Sequence, residues 1–280
     1  MWKKKKKFIL WKILKDSFLK LYSFFVRKKK IKYQKYEFVF STKDKFSKQK
    51  FLARPFSWIT HEAGLTKFFI ENIGSEEVFF DIWANLGYYS VITNNIITSW
   101  EVHSFEIDPF IFQVLRENIS MNSNQNVFNK LNLMAIGSND MDFVSFSPNK
   151  SNNPSTNQID INQKNQSNTN VGCISLDDYC SATKVYPTLI KMDIEWGEYY
   201  AVDNMKEALF NNPRIFMEIH PNEINAMWED FDAFKEKISY LFRERQIYKV
   251  INYRRESIEF QEINNIQKEP IKNQDMLYII

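Results

Sequence analysis

From about residue 78 onward, short apolar runs alternate with segments of helical spacing. The apolar runs predict strands at 78–82, 100–106, 127–136, 141–146, 189–194 and 215–219. The helical spacing predicts helices at 88–97, 109–122, 197–210 and 231–245, and Pro109 suits the first turn of its helix. Residues 248–253 and 275–280 predict a closing antiparallel pair. This alternation is typical of an α/β fold with one doubly wound, mostly parallel sheet.

The apolar stretch over residues 8–26 is long enough to span a bilayer, but it carries charges near its middle. Lys12, Lys15, Asp16 and Lys20 would each cost roughly 2.5–3.5 kcal/mol at a bilayer centre, so a spanning helix is excluded. On a helical projection the polar residues form one narrow strip. The broad opposite side is apolar: Leu10, Trp11, Leu14, Phe18, Leu21, Tyr22 and Phe25. The pattern predicts a basic amphipathic N-terminal helix.

Charge is distributed unevenly along the 280 residues. The first 35 contain 14 Lys or Arg and one acid, whereas the remaining 245 contain 23 Lys or Arg and 33 acids. We therefore predict a basic arm with its connection over residues 1–50 and an acidic folded domain over 51–280. The acidic body argues against nucleic acid as a partner. The arm predicts binding to an anionic membrane surface. The alternatives are a helix packed on its own domain or on a second subunit, and a lysine tail that binds nucleic acid.

Cys173 and Cys180 are too few for a disulfide scaffold, so we interpret them as free thiols in a reducing compartment. The expected location is the cytoplasm, with peripheral association at the inner face of the membrane. Residues 148–170 are rich in Asn, Ser and Gln and predict a loop inserted in the domain, either a lid over a site or tolerated surface.

Acidic residues stand at or near the ends of four predicted strands, where ligands bind in such a sheet: Asp81, Glu106, Asp193 and Glu218. An acid after the first of these strands would repel a pyrophosphate and suits a ligand that carries positive charge. Glu106, one strand further along, is placed to accept hydrogen bonds from ribose hydroxyls. A cationic, ribose-containing ligand of this kind is S-adenosylmethionine.

Four ordered motifs resemble those of the FkbM family of S-adenosylmethionine-dependent methyltransferases. They are FDIWANLGYYS at 80–90, FEIDP at 105–109 followed by Asn118, Ile119 and Asn122, SLDD at 175–178 followed by KMDIEWGE at 191–198, and DMLY at 275–278. The resemblance covers roughly residues 65–280. It implies a class I methyltransferase-like Rossmann fold and methyl transfer to an oxygen, typically a sugar hydroxyl of a glycan, a lipid-linked saccharide or a natural product.

Two tryptophans depart from the family pattern. Trp83 stands where the family has glycine, and Trp196 precedes Gly197 where the family has glycine followed by a small residue. A glycine at position 83 would let the turn pass close to the cofactor, whereas an indole adds well over ~100 Å² of surface there. The indole either lines a neighbouring pocket or fills the cofactor site. We expect cofactor binding to be retained.

The site residues are assigned from these motifs and strand ends. The predicted cofactor-binding residues are Asp81, Trp83, Asn85, Gly87 and Glu106. The predicted catalytic residues are Asp193, Glu195 and His220, which would orient or deprotonate the acceptor hydroxyl. Each has a structural alternative: a helix cap for Asp81, an ion pair with Lys191 for Asp193, acids near a helix N-terminus for Glu195 and Glu198, and core packing for His220.

Taken together, these features predict an S-adenosylmethionine-dependent O-methyltransferase that acts on a sugar hydroxyl of a glycan, glycolipid or similar small-molecule acceptor at the membrane surface. The acids could assemble a Mg²⁺ site, but nothing in their spacing demands one, so no metal is predicted. The alternative function is a degenerate, non-catalytic methyltransferase-like binding protein tethered by its arm. Trp83 is the feature that would separate the two. The oligomeric state is left open.

Overall fold

Contacts within the chain divide it into two units, residues 1–60 and 61–280. The computed structural model describes residues 26–52, 62–147, 158–159, 169–195, 197–227, 229–255 and 258–280. The predicted amphipathic helix therefore lies almost entirely outside the described residues, as do most of the predicted 148–170 loop and Trp196. Over the described ranges, no helix combines the length and the apolar character needed to cross a membrane.

The first unit contains an antiparallel hairpin of β1 (Lys28–Tyr33) and β2 (Tyr36–Ser41), followed by α1 (Lys45–Leu52). Along β1, exposed lysines alternate with buried apolar residues, as the two-residue period of a strand requires. Phe40 of β2 stacks on Phe51 of α1, with ring centroids 4.5 Å apart.

The hairpin and its helix correct one sequence-based expectation. The sequence predicts that the basic arm leads into the folded domain through a polar, lysine-rich connection at about residues 34–50, and this is wrong, because the segment contains β2 and most of α1. The segment contains five lysines, but Phe38, Phe40, Phe46 and the adjoining Phe51 are all buried. Their burial gives this short unit a core of its own, because each large aromatic side chain removes much apolar surface from water.

The second unit alternates strands and helices. Its helices are α2 (Ala63–Asn72), α3 (Tyr88–Ile96), α4 (Pro109–Met121), α5 (Leu176–Thr183), α6 (Glu198–Ala201), α7 (Pro221–Ala226) and α8 (Phe231–Leu241). Its strands are β3 (Glu76–Ile82), β4 (Ser99–Glu106), β5 (Val127–Leu133), β6 (Ala135–Ile136), β7 (Phe143–Ser147), β8 (Gln158–Ile159), β9 (Thr169–Ile174), β10 (Leu189–Met192), β11 (Arg214–Ile219), β12 (Ile247–Ile251), β13 (Glu259–Glu262) and β14 (Asp275–Ile279).

Eight strands form the central sheet in the order β13-β12-β14-β11-β10-β3-β4-β5. The five strands from β11 to β5 in this order run parallel, and β14 is antiparallel to both β11 and β12. The order reverses between β3 and β10, because β4 and β5 extend the sheet on one side and β11 on the other. The predicted doubly wound, mostly parallel sheet with a closing antiparallel pair is confirmed. Its switch point lies at the carboxyl ends of β3 and β10.

Both faces of this sheet are covered, which explains why its strands are nearly continuous apolar runs. Successive side chains of β3 point to opposite faces. Phe79 packs against Phe69 of α2, with ring centroids 5.9 Å apart, and Phe80 packs against Tyr179 of α5 at 5.6 Å. A smaller sheet in the order β6-β9-β7-β8 lies in the chain between β5 and α5.

The segment expected to form one helix over 197–210 is broken. It consists of α6 and two single 3₁₀ turns, Val202–Asn204 and Glu207–Leu209. The carboxylate of Asp177 accepts hydrogen bonds from the backbone N–H groups of residues 206, 207 and 208, at 3.0, 2.7 and 3.2 Å. These amides are thereby held by α5 and do not bond back along a continuous helix.

Candidate active site

The loop that follows β3 has an unusual backbone. Three of its five residues take left-handed conformations: Trp83 (φ 67°), Asn85 (φ 53°) and Gly87 (φ 78°). A β-carbon on Gly87 would also press against Leu115 of α4, so glycine is required there for two reasons. For a residue as bulky as Trp83 this conformation is strained, and strain of this kind collects at functional sites.

The backbone N–H groups of residues 84–87 all have acceptors within the protein. Those of Ala84 and Gly87 donate to the carbonyls of Phe105 and Ala84, both at 2.8 Å, and that of residue 86 donates to the Asn85 side chain at 2.9 Å. The N–H of Asn85 donates to Glu106. Asn118 of α4 adds a hydrogen bond from its side-chain amide to the carbonyl of residue 86, at 2.7 Å. The loop is therefore fixed and has no spare amides in 84–87 with which to cradle a phosphate.

Glu106 joins the two loops that follow β3 and β4. Its Oε2 accepts from the N–H of Asn85 and its Oε1 from the N–H of Asp108, both at 2.8 Å, and the residue is only 3% exposed. Burial raises the pKa of Glu106 to about 7. The N–H of Ile107 also contributes a backbone hydrogen bond to this carboxylate. A carboxylate has about four lone-pair positions, so one remains for a ligand hydroxyl.

Asp81 lies beneath the loop, in the interior. Its Oδ2 accepts from the N–H of Ser90 at 3.0 Å and from the Ser90 hydroxyl at 2.5 Å. Burial raises the pKa of Asp81 above its usual range. The geometry is that of the structural alternative, a carboxylate that holds the first turns of the next helix. A direct contact of Asp81 with cofactor stays a prediction.

A cavity opens beside this loop, with about 480 Å³ of empty space that includes open solvent. Its walls are mostly apolar and come from the ends of β3, β4 and β5 and from the segment after β10: Ile82, Trp83, Phe105, Ile107, Met134, Ala135, Ile136, Gly137, Met141, Val144, Ile194, Gly197 and Tyr200. The Trp83 indole is one of these walls and is 8% exposed.

The three predicted catalytic residues come together at the ends of β10 and β11. His220 Nε2 lies 3.8 Å from Asp193 Oδ1 and 3.8 Å from Glu195 Oε2. On the other side of the ring, Nδ1 lies 3.0 Å from Glu198 Oε1, and Glu198 is fully buried. Glu195, like Trp83, has a left-handed backbone, with φ 62°.

Burial and the close approach of several charged groups determine the protonation states of His220 and Glu195. Burial by itself would lower the pKa of His220, but the hydrogen bond to Glu198 and the charges of Asp193 and Glu195 outweigh it and raise the pKa to about 10. Burial, assisted by the charge of Asp193, raises the pKa of Glu195 to about 7. At neutral pH the imidazole is therefore cationic, and Glu195 is the group that titrates.

Several charged residues near Asp193 were not predicted to belong to the site. Lys191 of β10 is buried, with its Nζ 3.4 Å from Asp193 Oδ2 and 5.1 Å from the centre of the Tyr89 ring. The hydroxyl of Tyr89 donates to Glu62 at 2.6 Å. The ion pair considered for Lys191 is thus present. The sequence did contain a sign that Lys191 belongs to the site, because a lysine inside a strand of the buried type requires a charged or polar partner.

Arg254 brings a second cation to the same end of the sheet. Its Nη2 lies 2.8 Å from Glu218 Oε1, and the hydroxyl of Tyr253 lies 3.2 Å from the same oxygen. Burial and the charge of Asp193 raise the pKa of Glu218 above its usual range. Residues 252–255 form a turn far along the chain, and no motif pointed to them.

Comparison with known families bears on the whole of this site. The sequence profile of the methyltransferase FkbM domain matches residues 81–249, which is more than half of the chain and includes both the loop after β3 and the acid–histidine cluster. The chain belongs to the FkbM methyltransferase family. The family resemblance predicted from the motifs is confirmed.

Solved structures resemble this FkbM chain at low identity. A methyltransferase FkbM from Methylobacillus flagellatus KT is 16% identical, with 85% of this chain and 55% of that chain covered and a TM-score of 0.48. A putative SAM-dependent methyltransferase from Streptococcus mutans is 9% identical, with 91% and 55% covered and a TM-score of 0.46. TYW2 from M. jannaschii, solved in complex with AdoMet, is 12% identical, with 90% and 84% covered and a TM-score of 0.38.

The FkbM chain thus spans about half the length of the first of these proteins. Similarity at this level does not identify a substrate. A search of curated protein sequences gave no match.

Proposed function

We propose that this chain transfers the methyl group of S-adenosylmethionine to a hydroxyl oxygen of a sugar-containing acceptor at a membrane surface. The observation that carries the proposal is a juxtaposition at the switch point of the sheet. A mostly apolar cavity is lined by Phe105 and Ile107, the chain neighbours of Glu106. Ile194 also lines this cavity, and it stands in the chain between Asp193 and Glu195, which form a polar cluster with His220.

The residues of the cavity fit the cofactor. Glu106, which stands in the chain between the lining residues Phe105 and Ile107, has an acceptor position for a ribose hydroxyl, and a mostly apolar cavity suits a planar base. The amides of residues 84–87 are already bonded, which is compatible with a ligand that brings no pyrophosphate. We assign Asp81, Trp83, Asn85 and Gly87 to the same site, with Asp81 supporting it from beneath.

S-adenosylmethionine supplies a methyl group on a sulfonium, so the C–S electron pair leaves with sulfur as the acceptor oxygen forms the new C–O bond. The chain must hold that oxygen in line and take its proton. Glu195, with a pKa of about 7, is suited to receive the proton near neutral pH. His220 is cationic there and serves to hold Asp193 and Glu195 in place, and holding the acceptor accounts for most of the acceleration.

The acidic rim of the cluster favours an acceptor rich in hydroxyl groups. Carboxylates such as Asp193 and Glu195 accept hydrogen bonds from neighbouring hydroxyls of a sugar, whereas an anionic acceptor would be repelled. We extend the proposal to the membrane through the first unit. Residues 26–52 contain ten Lys or Arg and two acids, and five further lysines stand at 3–7. Such charge is suited to the anionic inner face of a cytoplasmic membrane.

Two measurements test this function. Calorimetric titration of the full chain with S-adenosylmethionine should show saturable binding, and no binding at millimolar ligand would refute the proposal. Incubation with methyl-labelled cofactor and a panel of oligosaccharide or glycolipid acceptors should then transfer label to oxygen. Glu195→Gln should lose the transfer, while Glu76→Gln, at the opposite end of the sheet, should keep it. Transfer to nitrogen or carbon acceptors alone would show that the oxygen assignment is wrong.

A second candidate function is a methyltransferase-like binding protein that has lost catalysis. It is favoured by the Trp83 indole, which forms a wall of the cavity where a glycine would leave room. Under this alternative the wild-type chain does not bind S-adenosylmethionine and Trp83→Gly does. Binding by both would support the catalytic function instead.

A further inference from the structure

The imidazole of His220 is held in one orientation. The residue lies between β11 and α7 and is 1% exposed. Glu198 Oε1 accepts from the backbone N–H of Ile194 at 2.8 Å and lies 3.0 Å from His220 Nδ1, so Nδ1 carries hydrogen and donates. The opposite ring nitrogen, Nε2, is therefore directed towards Asp193 and Glu195.

His220 Nε2 makes no hydrogen bond with any residue that the structure describes. Its nearest carboxylate oxygens belong to Asp193, Glu195 and Glu218, at 3.8, 3.8 and 3.9 Å. A charge-assisted hydrogen bond from nitrogen to a carboxylate would be about 2.7–2.9 Å long. These oxygens instead surround a space in front of the Nε2 atom.

We propose that Asp193, Glu195 and His220 bind a divalent metal cation. One imidazole nitrogen and two carboxylate oxygens form a donor set suited to Mn²⁺, Fe²⁺ or Zn²⁺. A metal-bound histidine commonly donates a hydrogen bond from its other ring nitrogen to a carboxylate, which fixes the orientation of the ring. Glu198 accepts this hydrogen bond from His220 Nδ1. The cation takes the place of a proton on Nε2.

The spacing of the cluster is compatible with this assignment. The three ligand atoms all lie within 4.8 Å of one another. Atoms bound to one metal at about 2.1 Å lie roughly 3.0–3.4 Å apart, so the cluster must contract slightly on binding. The side chains of Asp193 and Glu195 are 24% and 29% exposed and can move, while His220 stays fixed.

Charge balance points the same way. Four carboxylates, those of Asp193, Glu195, Glu198 and Glu218, lie within 4 Å of the imidazole ring nitrogens. Lys191 and Arg254 are the paired cations at their edge. With the carboxylates ionised and the imidazole neutral, as metal ligands are, a divalent ion would offset the remaining negative charge. Sequence spacing gave no reason to predict a metal, because residues 193 and 220 meet only when β10 and β11 pair.

The use of the ion, unlike its binding, rests on the proposed function. A cation at this position would lie beside Ile194, at the border of the cavity. It would bind the acceptor hydroxyl oxygen and favour loss of its proton to water or to a carboxylate of the rim.

The test is a Mn²⁺ titration of the full chain, followed by electron paramagnetic resonance of free and bound ion. We expect one saturable site, with coupling to an imidazole nitrogen in the pulsed spectrum. Asp193→Asn and His220→Gln should each weaken Mn²⁺ binding at least tenfold, and His220→Gln should lose the nitrogen coupling. Glu198→Gln should weaken binding as a positioning residue while keeping the coupling. Glu76→Gln should bind as wild type.

Absence of saturable Mn²⁺ binding, or unchanged binding in both Asp193→Asn and His220→Gln, would overturn the cation site. Thermal melts of each variant establish that it is folded, and the partly exposed Asp193 makes its variant the safer of the two. Calorimetry with S-adenosylmethionine in metal-free buffer separates the two proposals. Cofactor binding without Mn²⁺ binding refutes only the cation site, whereas Mn²⁺ binding through these residues without cofactor binding supports it and refutes the proposed function.

Discussion

Replacement of Glu106 by glutamine tests the cofactor site most directly. The carboxylate accepts one backbone N–H on each oxygen, both at 2.8 Å. Glutamine has the same shape but only one acceptor oxygen, so its NH₂ group must face one of those N–H donors and cannot accept from a ribose hydroxyl. Loss of hydrogen bonds to a charged group should weaken S-adenosylmethionine binding at pH 8 by about 1.5–3 kcal/mol, roughly 10- to 150-fold.

The same carboxylate predicts a pH dependence. With its pKa raised to about 7, Glu106 is mostly protonated at pH 6 and mostly ionised at pH 8. If only the ionised form accepts from the ribose, wild-type affinity should rise about tenfold between these values. The affinity of Glu106→Gln should show no such rise.

Folding stability should change in the opposite direction. Burial raises the pKa from 4.5 to about 7, so the folded chain holds a proton that the unfolded chain releases. This contribution is complete below pH 4.5 and is lost as the pH rises through 7, which amounts to about 2.5 kcal/mol between pH 5 and pH 8. Relative to wild type, Glu106→Gln should therefore become more stable as pH increases.

Calorimetric titrations at pH 6, 7 and 8 measure the affinity for S-adenosylmethionine and its pH dependence in wild type and Glu106→Gln. Denaturant melts at pH 5 and 8 measure the pH dependence of the free energy of unfolding. Glu76→Gln is the matched control, since it removes a carboxylate from the first residue of β3, far from the strand ends that form the site. If Glu106→Gln binds as tightly as wild type at pH 8 while it remains folded, then Glu106 does not contact the ribose.

Three further changes have defined outcomes. Trp83→Gly relieves a left-handed tryptophan and should keep or strengthen cofactor binding in calorimetry; distinctly weaker binding would show that the indole stacks on the ligand. Gly87→Ala should lower the free energy of unfolding by about 1–3 kcal/mol in denaturant melts, because φ is 78° and a β-carbon would meet Leu115; an unchanged midpoint would contradict that strain. Neutralising Lys3 to Lys7 should weaken co-sedimentation with anionic vesicles by up to about 1 kcal/mol per lysine, an effect that salt reduces; equal binding by both forms would refute the membrane role of these lysines.

Most of the central sheet could be predicted because buried parallel strands have an unambiguous signature. The runs that became β3, β10 and β11 are mostly apolar on both faces, so no register had to be known. The hairpin β1–β2 could not be found this way, since its buried positions are separated by lysines that dominate the composition. The helix expected at 197–210 failed for a different reason: the contact of Asp177 with residues 206–208 is tertiary and leaves no local trace.

The candidate site also has features that the sequence predicts and features that depend on the fold. Asp193, Glu195 and His220 were identifiable because each stands at or near a strand end, but their mutual approach depends on the pairing of β10 with β11. Glu198 was interpreted as an acid at a helix N-terminus, and it does lie in the first turn of α6, yet it is fully buried and bonded to His220. The partner of an acid is a property of the fold, whereas its position at the start of a helix is a property of the sequence.

The hydrogen bonds that fix the backbone of residues 84–87 affect both hydrogen exchange and the way in which this site can evolve. Since the amides of residues 84–87 are bonded without any ligand, they should exchange slowly in the free protein and change little when cofactor arrives. Because the backbone of this loop is fixed, the loop selects ligands by excluding those whose shape does not fit the cavity. New specificity would then have to arise at the opposite walls, around Met134 and Tyr200, where side chains can be exchanged without rebuilding a backbone.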